Sequence, residues 1–273
     1  MTSRQAPVWA DVPTRLLTIA IGAPVILGAV FWGTPLFQIV TIIIGLLAAV
    51  ELWQMIAHDH PTAWFLAQLV AFCCMFAGVV SSSLLVLAAI VGGAAVCLWA
   101  YSTHDPQTLW RYLSLLIGTL YISIPLGFLI AIRALDNGFV WIFVLFAANW
   151  GTDSFALVGG RLFGRRKLAP HISANKTVEG ALFGFVCGVL AGVLIGLVAS
   201  APVAFVVSAP PIIAVLTIAG DLIESQAKRI LGVKDTSRLL PGHGGIIDRI
   251  DGLVLATPVY YFMLLFVLPL LVH

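Results

Sequence analysis

Charge is scarce in this sequence. Lys and Arg number 14, and Asp and Glu 12, among 273 residues, ten per cent where a soluble domain carries about 25%. A soluble fold of this length needs more polar surface than that to cover its core, so the solvent around most of the chain must be lipid. The 61% hydrophobic content and the mean hydropathy of +1.08 agree. Cysteine is sparse too, and Cys73, Cys74, Cys97 and Cys187 all lie inside apolar runs. None has the spacing of a zinc knuckle, and the vicinal pair is a poor disulfide candidate, which leaves small packing residues. No internal repeat is evident, and no nucleic-acid partner is expected.

What the sequence does have is a succession of apolar stretches. Crossing about 30 Å of hydrocarbon takes around 20 residues. Seven uncharged runs approach that length: 16–32, 62–80, 83–101, 113–132, 181–199, 201–220 and 252–272. Two more, 35–56 and 139–158, contain a single acid each, Glu51 and Asp153. The expected fold is therefore all-α, a polytopic transmembrane helical bundle of about nine spans forming a single integral membrane domain over 1–273. Its helices up to residue 137 are expected to be the more variable part, and 138–273 the catalytic half. The first run is long for a signal peptide and lacks a cleavage site leading into a soluble domain, so it is expected to be a retained anchor. A tight turn is expected at 200–202, and Pro210-Pro211 should kink the span that contains it.

Basic residues orient such a bundle. With nine spans, the N-terminus and alternate loops carry Arg4, Arg15, Arg111, Arg161, Arg165, Arg166, Lys167, Lys176, Lys228, Arg229, Lys234, Arg238 and Arg249, whereas the opposite side carries only Arg133. Thirteen of the 14 cations on one side predict that the N-terminus and both long loops are cytoplasmic. The seventh span has its own pattern, Gly180, Gly184, Gly188, Gly192 and Gly196. Small residues at this spacing let helix backbones approach closely in lipid. Four residues overshoot one turn by about 40°, so the stripe winds and cannot face one straight partner throughout.

Ionisable groups at membrane depth cost about 2.5–3.5 kcal/mol each on insertion scales. Glu51, Asp153 and Asp221 are the costly ones, and all three fall at the predicted cytoplasmic ends of their spans. The segment GGRLFGRRKLAPHISANKTVEG, 159–180, holds five cations and one acid. Clustered Lys and Arg beside a membrane commonly do no more than fix topology or touch anionic lipid. Lys176-Thr177 before a helix is different, since Thr177 can cap the helix and its first amides can then help bind phosphate. The second segment, GDLIESQAKRILGVKDTSRLLPGHGGIIDRID, 220–251, is the sharper signal. If the preceding helix continues into it, Asp221, Glu224, Ser225 and Lys228 share one face. Pro241-Gly242-His243-Gly244-Gly245 cannot be regular helix, and its glycines can turn backbone N–H groups toward phosphate oxygens. Asp248 and Asp251, three apart, again share a face if helical. Carboxylates, surplus cations and a glycine-rich turn are what a Mg²⁺–polyphosphate site requires, because hard oxygens hold the metal while Lys and Arg neutralise phosphate charge.

At this point the residues resemble a known family. Ser225, Lys228-Arg229, Lys234-Asp235, Ser237, Leu240-Pro241, His243-Gly244-Gly245 and Asp248-Arg249-Ile250-Asp251 are similar to the signature of CDP-diacylglycerol synthases, also called phosphatidate cytidylyltransferases. A second block is similar as well: Asp153, Gly160-Arg161, Phe163-Gly164, Lys167-Leu168-Ala169-Pro170, Ile172-Ser173, Lys176-Thr177 and Glu179-Gly180. Glu51-Leu52-Trp53 matches a weaker family feature. Ala227 stands where a larger apolar residue is usual and Ala174 where a proline is common, and neither departure removes a charged group. The resemblance implies that CTP and phosphatidic acid give CDP-diacylglycerol and pyrophosphate with Mg²⁺, and leaves a second cation open. It implies Asp221, Asp248 and Asp251 as metal ligands, with Lys228 among the catalytic residues. Ser225, Arg229, Lys234, His243, Gly244, Gly245 and Arg249 are then expected around the substrates, joined by Asp153, Lys167, Ser173, Lys176 and Thr177 from the other segment. The expected setting is a bacterial inner (plasma) membrane with the site cytoplasmic and lipid as a constant partner, and a homodimer is left open.

Three rivals were weighed. A CTP-dependent lipid kinase of the polyprenol or phytol type needs a similar site but transfers the γ-phosphate. A CDP-alcohol phosphotransferase needs D-x-x-D-G-x-x-A-R, which Asp248, Asp251 and Gly252 begin without the Ala-Arg that must follow. A transporter would place acids deep in broken helices, whereas here they gather at one surface.

Overall fold

The computed structural model describes residues 12–102, 104–237, 239 and 244–272. It is built almost wholly of helix: α1 (Val12–Trp32), α2 (Thr34–Ile56), α3 (Pro61–Val80), α4 (Ser82–Ser102), α5 (Pro106–Ala134), α6 (Gly138–Phe163), α7 (Val178–Val198), α8 (Val203–Ile230) and α9 (Ile247–Phe262). α9 runs on through a π-helical turn, Met263–Val267, into Leu268–Val272. Among the described residues, eight helices are long and apolar enough to cross a membrane, and α1 contributes the shorter apolar piece Gly22–Trp32. Helix dominates because lipid offers backbone N–H and C=O groups no partner, so each segment must satisfy its own. Breaks between the helices fall where the sequence supplies stops and starts. Proline occupies the first turn of α2, α3 and α5, where its missing N–H costs nothing. Asp105 caps α5 by accepting from the amides of Gln107 and Thr108 at 3.4 and 2.9 Å, bonds that hold its carboxyl below the ordinary range.

One expectation needs correction in detail. The segment between α6 and α7 is not simply a loop but a two-stranded antiparallel hairpin, β1 (Lys167–Ala169) and β2 (Ser173–Thr177), pairing Lys167 with Thr177 and Ala169 with Ser173. Glu179, in the first turn of α7, braces its base by accepting from the amides of Arg165 and Arg166 at 3.0 and 3.1 Å. The strands are too short for their alternation to register against the cluster of cations. The expected 200–202 turn is present, with Ser200 at φ 57°. α8 continues through Pro210 and Pro211 as far as Ile230.

α5 is the inner helix. Seventy-two per cent of its apolar window is buried, against 22% for α7, and it packs against α2, α3, α4 and α9. α7 lies at the edge, its Leu182, Leu190 and Leu194 more than 60% exposed, which suits a face turned to lipid. Its glycines point the other way and are all buried. A Cβ built on Gly188 would lie 2.7 Å from the Ala148 carbonyl oxygen of α6, while one on Gly192 would lie 3.0 Å from Pro210 of α8. The stripe therefore starts against α6 and ends against α8, as the 40° drift per step requires.

Candidate active site

The site is assembled where the ends of α6, α8 and α9 meet the hairpin, and it begins with a residue from the other half of the chain. Glu51, near the end of α2, is 2% exposed. Its Oε1 accepts from Ser237 Oγ at 2.6 Å and the Ile246 amide at 2.8 Å. Its Oε2 accepts from Thr236 Oγ1 at 3.2 Å and the Ile247 amide at 3.1 Å. A buried carboxylate is tolerable only with such a complete set of donors. Gly245 sits against this carboxylate, and a Cβ there would collide with it and with Thr236 Oγ1. That contact excludes any side chain at this glycine.

The same stretch fixes Asp248, in the first turn of α9. Its Oδ2 accepts from the amides of Gly245 and Thr236 at 2.8 and 3.2 Å, and its Oδ1 accepts from Lys228 Nζ at 2.8 Å. Lys228 is shared. Its ammonium also lies 2.8 Å from Glu224 Oε1, one helical turn back on α8. That ammonium is the charged partner of Glu224, whose side chain is only 6% exposed and lies beside Asp248.

Glu224 belongs to a cluster. Ligand oxygens of Asp221, Glu224 and Asp251 all lie within 4.8 Å of one another, and Asp153 of α6 lies within electrostatic reach of Asp221 and Asp251. Close helix approach brings these carboxylates together. A Cβ on Gly252 would lie 2.9 Å from Asn149 Oδ1 and 2.8 Å from Thr217 Cγ2, so glycine at 252 is what seats α9 against α6 and α8. Carboxylates this close repel; Lys176 and Lys228 offset part of that repulsion, and a proton or a bound cation relieves the rest. Three hard oxygen donors suit a small divalent ion that keeps part of its water.

The hairpin supplies the opposing cations. Lys176 Nζ lies 2.6 Å from Asp221 Oδ1 and donates to the Asp221 carbonyl and to Ser225 Oγ at 2.9 and 3.1 Å. Arg229 Nε donates to the Ile172 carbonyl at 3.1 Å and so ties the hairpin's tip to α8. Thr177 caps α7, its Oγ1 accepting from the Gly180 amide at 3.1 Å. Between hairpin and helices opens a cavity of about 560 Å³ whose walls include Asp153, Arg161, Ser173, Lys176, Asp221, Arg249 and Asp251. A cavity lined by apolar side chains together with these acids and cations can hold a polyphosphate through its charged groups and an acyl-bearing partner through its apolar ones.

Of the residues expected from the sequence, Asp153, Ser173, Lys176, Thr177, Asp221, Asp248, Arg249 and Asp251 line this cavity together. Ser225, Lys228, Gly244 and Gly245 stand just behind it, Gly244 in a left-handed conformation at φ 79° beside Asp248. Arg229 braces the hairpin, while Lys167 and Lys234 are exposed outside the cavity wall. His243 lies outside the described residues. Glu224 joins Asp221 and Asp251 in the close group of acids, while Asp248, expected with them as a ligand, lines the same cavity. The signal was in the sequence, since Glu224 shares the helix face of Asp221 and Lys228, but the spacing alone could not rank one acid over another. Glu51 as an anchor had no local signal at all.

The family model described as cytidylyltransferase matches residues 13–267. Among curated proteins, phosphatidate cytidylyltransferase of Thermotoga maritima is 30% identical over 259 residues, covering 92% of this chain and 95% of that protein. The Bacillus subtilis protein of the same name is 37% identical over 158 residues, 54% of this chain and 56% of its own length. That of Staphylococcus haemolyticus is 36% identical over 152 residues, 55% and 58% respectively. In these last two alignments the chain spans little more than half the length of the relative.

Proposed function

Because the chain belongs to the cytidylyltransferase family, we propose that it transfers the cytidylyl group of CTP to phosphatidic acid, releasing pyrophosphate and forming CDP-diacylglycerol. The observation that carries this reading is the single cavity in which Asp221 and Asp251 face Lys176 and Arg249 at the ends of membrane-spanning helices. One substrate is soluble and the other stays in the bilayer, so the reaction needs a polar pocket at such a level. The lipid phosphate is already an anionic nucleophile and needs little general-base help. One of its oxygens bonds to the α-phosphorus of CTP as the bond to the β-phosphate bridge breaks, and pyrophosphate leaves with that electron pair. Catalysis then rests on orientation and charge neutralisation.

The chain's own residues divide that work. Asp221, Glu224 and Asp251 would hold Mg²⁺, which would supply charge neutralisation for the phosphates. Lys176 and Arg249 contact the triphosphate or the lipid phosphate, and Arg161 closes the cavity wall on the hairpin side. Lys228, held between Glu224 and Asp248, sets the charge beside the acids. Arg161, Lys176 and Arg249 of the cavity lining are among the thirteen cations that the sequence assigns to one side, which supports a cytoplasmic site in a bacterial plasma membrane.

Labelled CTP tests the reading. Membranes containing the protein, given phosphatidic acid and Mg²⁺, are expected to move an α-label of CTP into the organic phase and to leave a γ-label in water. Transfer of the γ-label would establish a lipid kinase instead, and no transfer of either label would overturn the enzyme reading for these substrates.

A further inference from the structure

Glu51 precedes every cavity residue in sequence, and none of its four donors lines the cavity, yet its two oxygens hold Thr236-Ser237 and Ile246-Ile247 together. Those two stretches carry the Thr236 and Gly245 amides that grip Asp248 Oδ2. Asp248 in turn holds Lys228, and Lys228 is shared with Glu224 of the acid cluster. A chain of contacts therefore runs from α2 to the acids.

We propose that Glu51 is a positioning residue for the cation site, acting through Asp248 on how Lys228 divides its charge between Asp248 and Glu224. With the two stretches held, two amides fix Asp248 and it shares the ammonium evenly with Glu224, Lys228 Nζ lying 2.8 Å from each, so Glu224 keeps charge to share with a divalent ion. With them released, Asp248 loses its amide grip and Lys228 pairs with Glu224 alone. A carboxylate fully paired with an ammonium is a poor metal ligand, so cation affinity falls although no ligand has been changed. The inference rests on the proposed cation-dependent reaction for its setting, but not for its test.

Glu51→Gln is the decisive variant because it leaves the shape of the side chain unchanged. Each carboxylate oxygen faces one backbone N–H, so either orientation of the amide sets its NH₂ group against a backbone donor. In purified protein without substrates, hydrogen exchange at the Thr236, Gly245, Ile246 and Ile247 amides is expected to quicken at least tenfold. Mn²⁺ binding followed by electron paramagnetic resonance is expected to weaken several-fold. In the CTP assay the Mg²⁺ concentration for half-maximal rate should rise by the same factor, with excess Mg²⁺ restoring most of the rate. A residue that merely supported folding would lower the yield of folded protein without giving a defect that Mg²⁺ repairs. If Glu51→Gln does not fold, Ser237→Ala removes the shortest of the four bonds and should give the same pattern in weaker form. Unchanged exchange, or faster exchange with unchanged Mn²⁺ affinity, overturns the proposal. An inactive wild-type protein would overturn the reaction instead, and the exchange and Mn²⁺ measurements would still decide the role of Glu51.

Discussion

The two sides of the site treat their carboxylates in opposite ways. On one side, Glu51 and Asp248 accept a full complement of hydrogen bonds from backbone amides, hydroxyls and Lys228. On the other, Asp221, Glu224 and Asp251 crowd within 4.8 Å with fewer donors: Lys176 pairs with Asp221, the shared Lys228 with Glu224, and the Gly252 amide donates to Asp251. The satisfied side is architecture, since its acids are stabilised by folding itself. The less satisfied side carries electrostatic strain that folding leaves in place, and a ligand of opposite charge removes it. Acid content alone does not separate the two, because all five residues are carboxylates near the ends of apolar spans. What separates them is where the donors are.

This contrast can be broken most strongly at Asp251. Asp251→Asn removes a proposed metal ligand and should lower the rate of CDP-diacylglycerol formation by on the order of 10²–10³-fold, several kcal/mol of barrier. Thermal unfolding in detergent should show equal or greater stability, because one of the crowded charges is gone; a marked drop in melting temperature would erase the distinction between the two sides. Asp248→Asn should do the reverse. Its loss of charge weakens three bonds to a part-buried group, about 1–3 kcal/mol of stability, so melting temperature falls together with activity. A stable Asp248→Asn protein with no Mn²⁺ binding would return Asp248 to the role of metal ligand. Lys176→Met disconnects the hairpin from α8 at three contacts. It should raise the KM for CTP roughly tenfold, about 1.4 kcal/mol, with little change in folding. The smallest effect is expected for Thr177→Ala, which removes the cap of α7 for about 1 kcal/mol, read as a small shift in melting temperature at nearly full activity.

Much of this was legible in the residues. Apolar runs located the helices, because spanning lipid leaves a chain few choices of conformation, but not all of their ends: α5 starts at Pro106, ahead of the run 113–132, and α8 continues to Ile230, past the run 201–220. The expected face of Asp221, Glu224, Ser225 and Lys228 exists because α8 continues to Ile230. The winding of the glycine stripe from α6 to α8 followed from helix geometry alone. What the sequence could not express was partnership. Lys228 might serve either of two acids by spacing, and it serves both. The hairpin was hidden because eleven residues of turn and short strand carry no periodicity that cations do not mask. The anchoring role of Glu51 was hidden for a simpler reason: its donors lie 185 to 196 residues away, and no local pattern reaches that far.

That separation has a consequence for how the chain is made. A ribosome working at about 5–20 residues per second needs roughly 10–40 s to proceed from Glu51 to the last of its donors. Until residue 236 is made, α2 has a carboxylate and none of the four groups that will later surround it. The newborn helix must wait with this end at the water boundary until α9 arrives. The bond network around Glu51 is thus among the last to close during biogenesis, and under the proposed role of Glu51 the cation site matures with it.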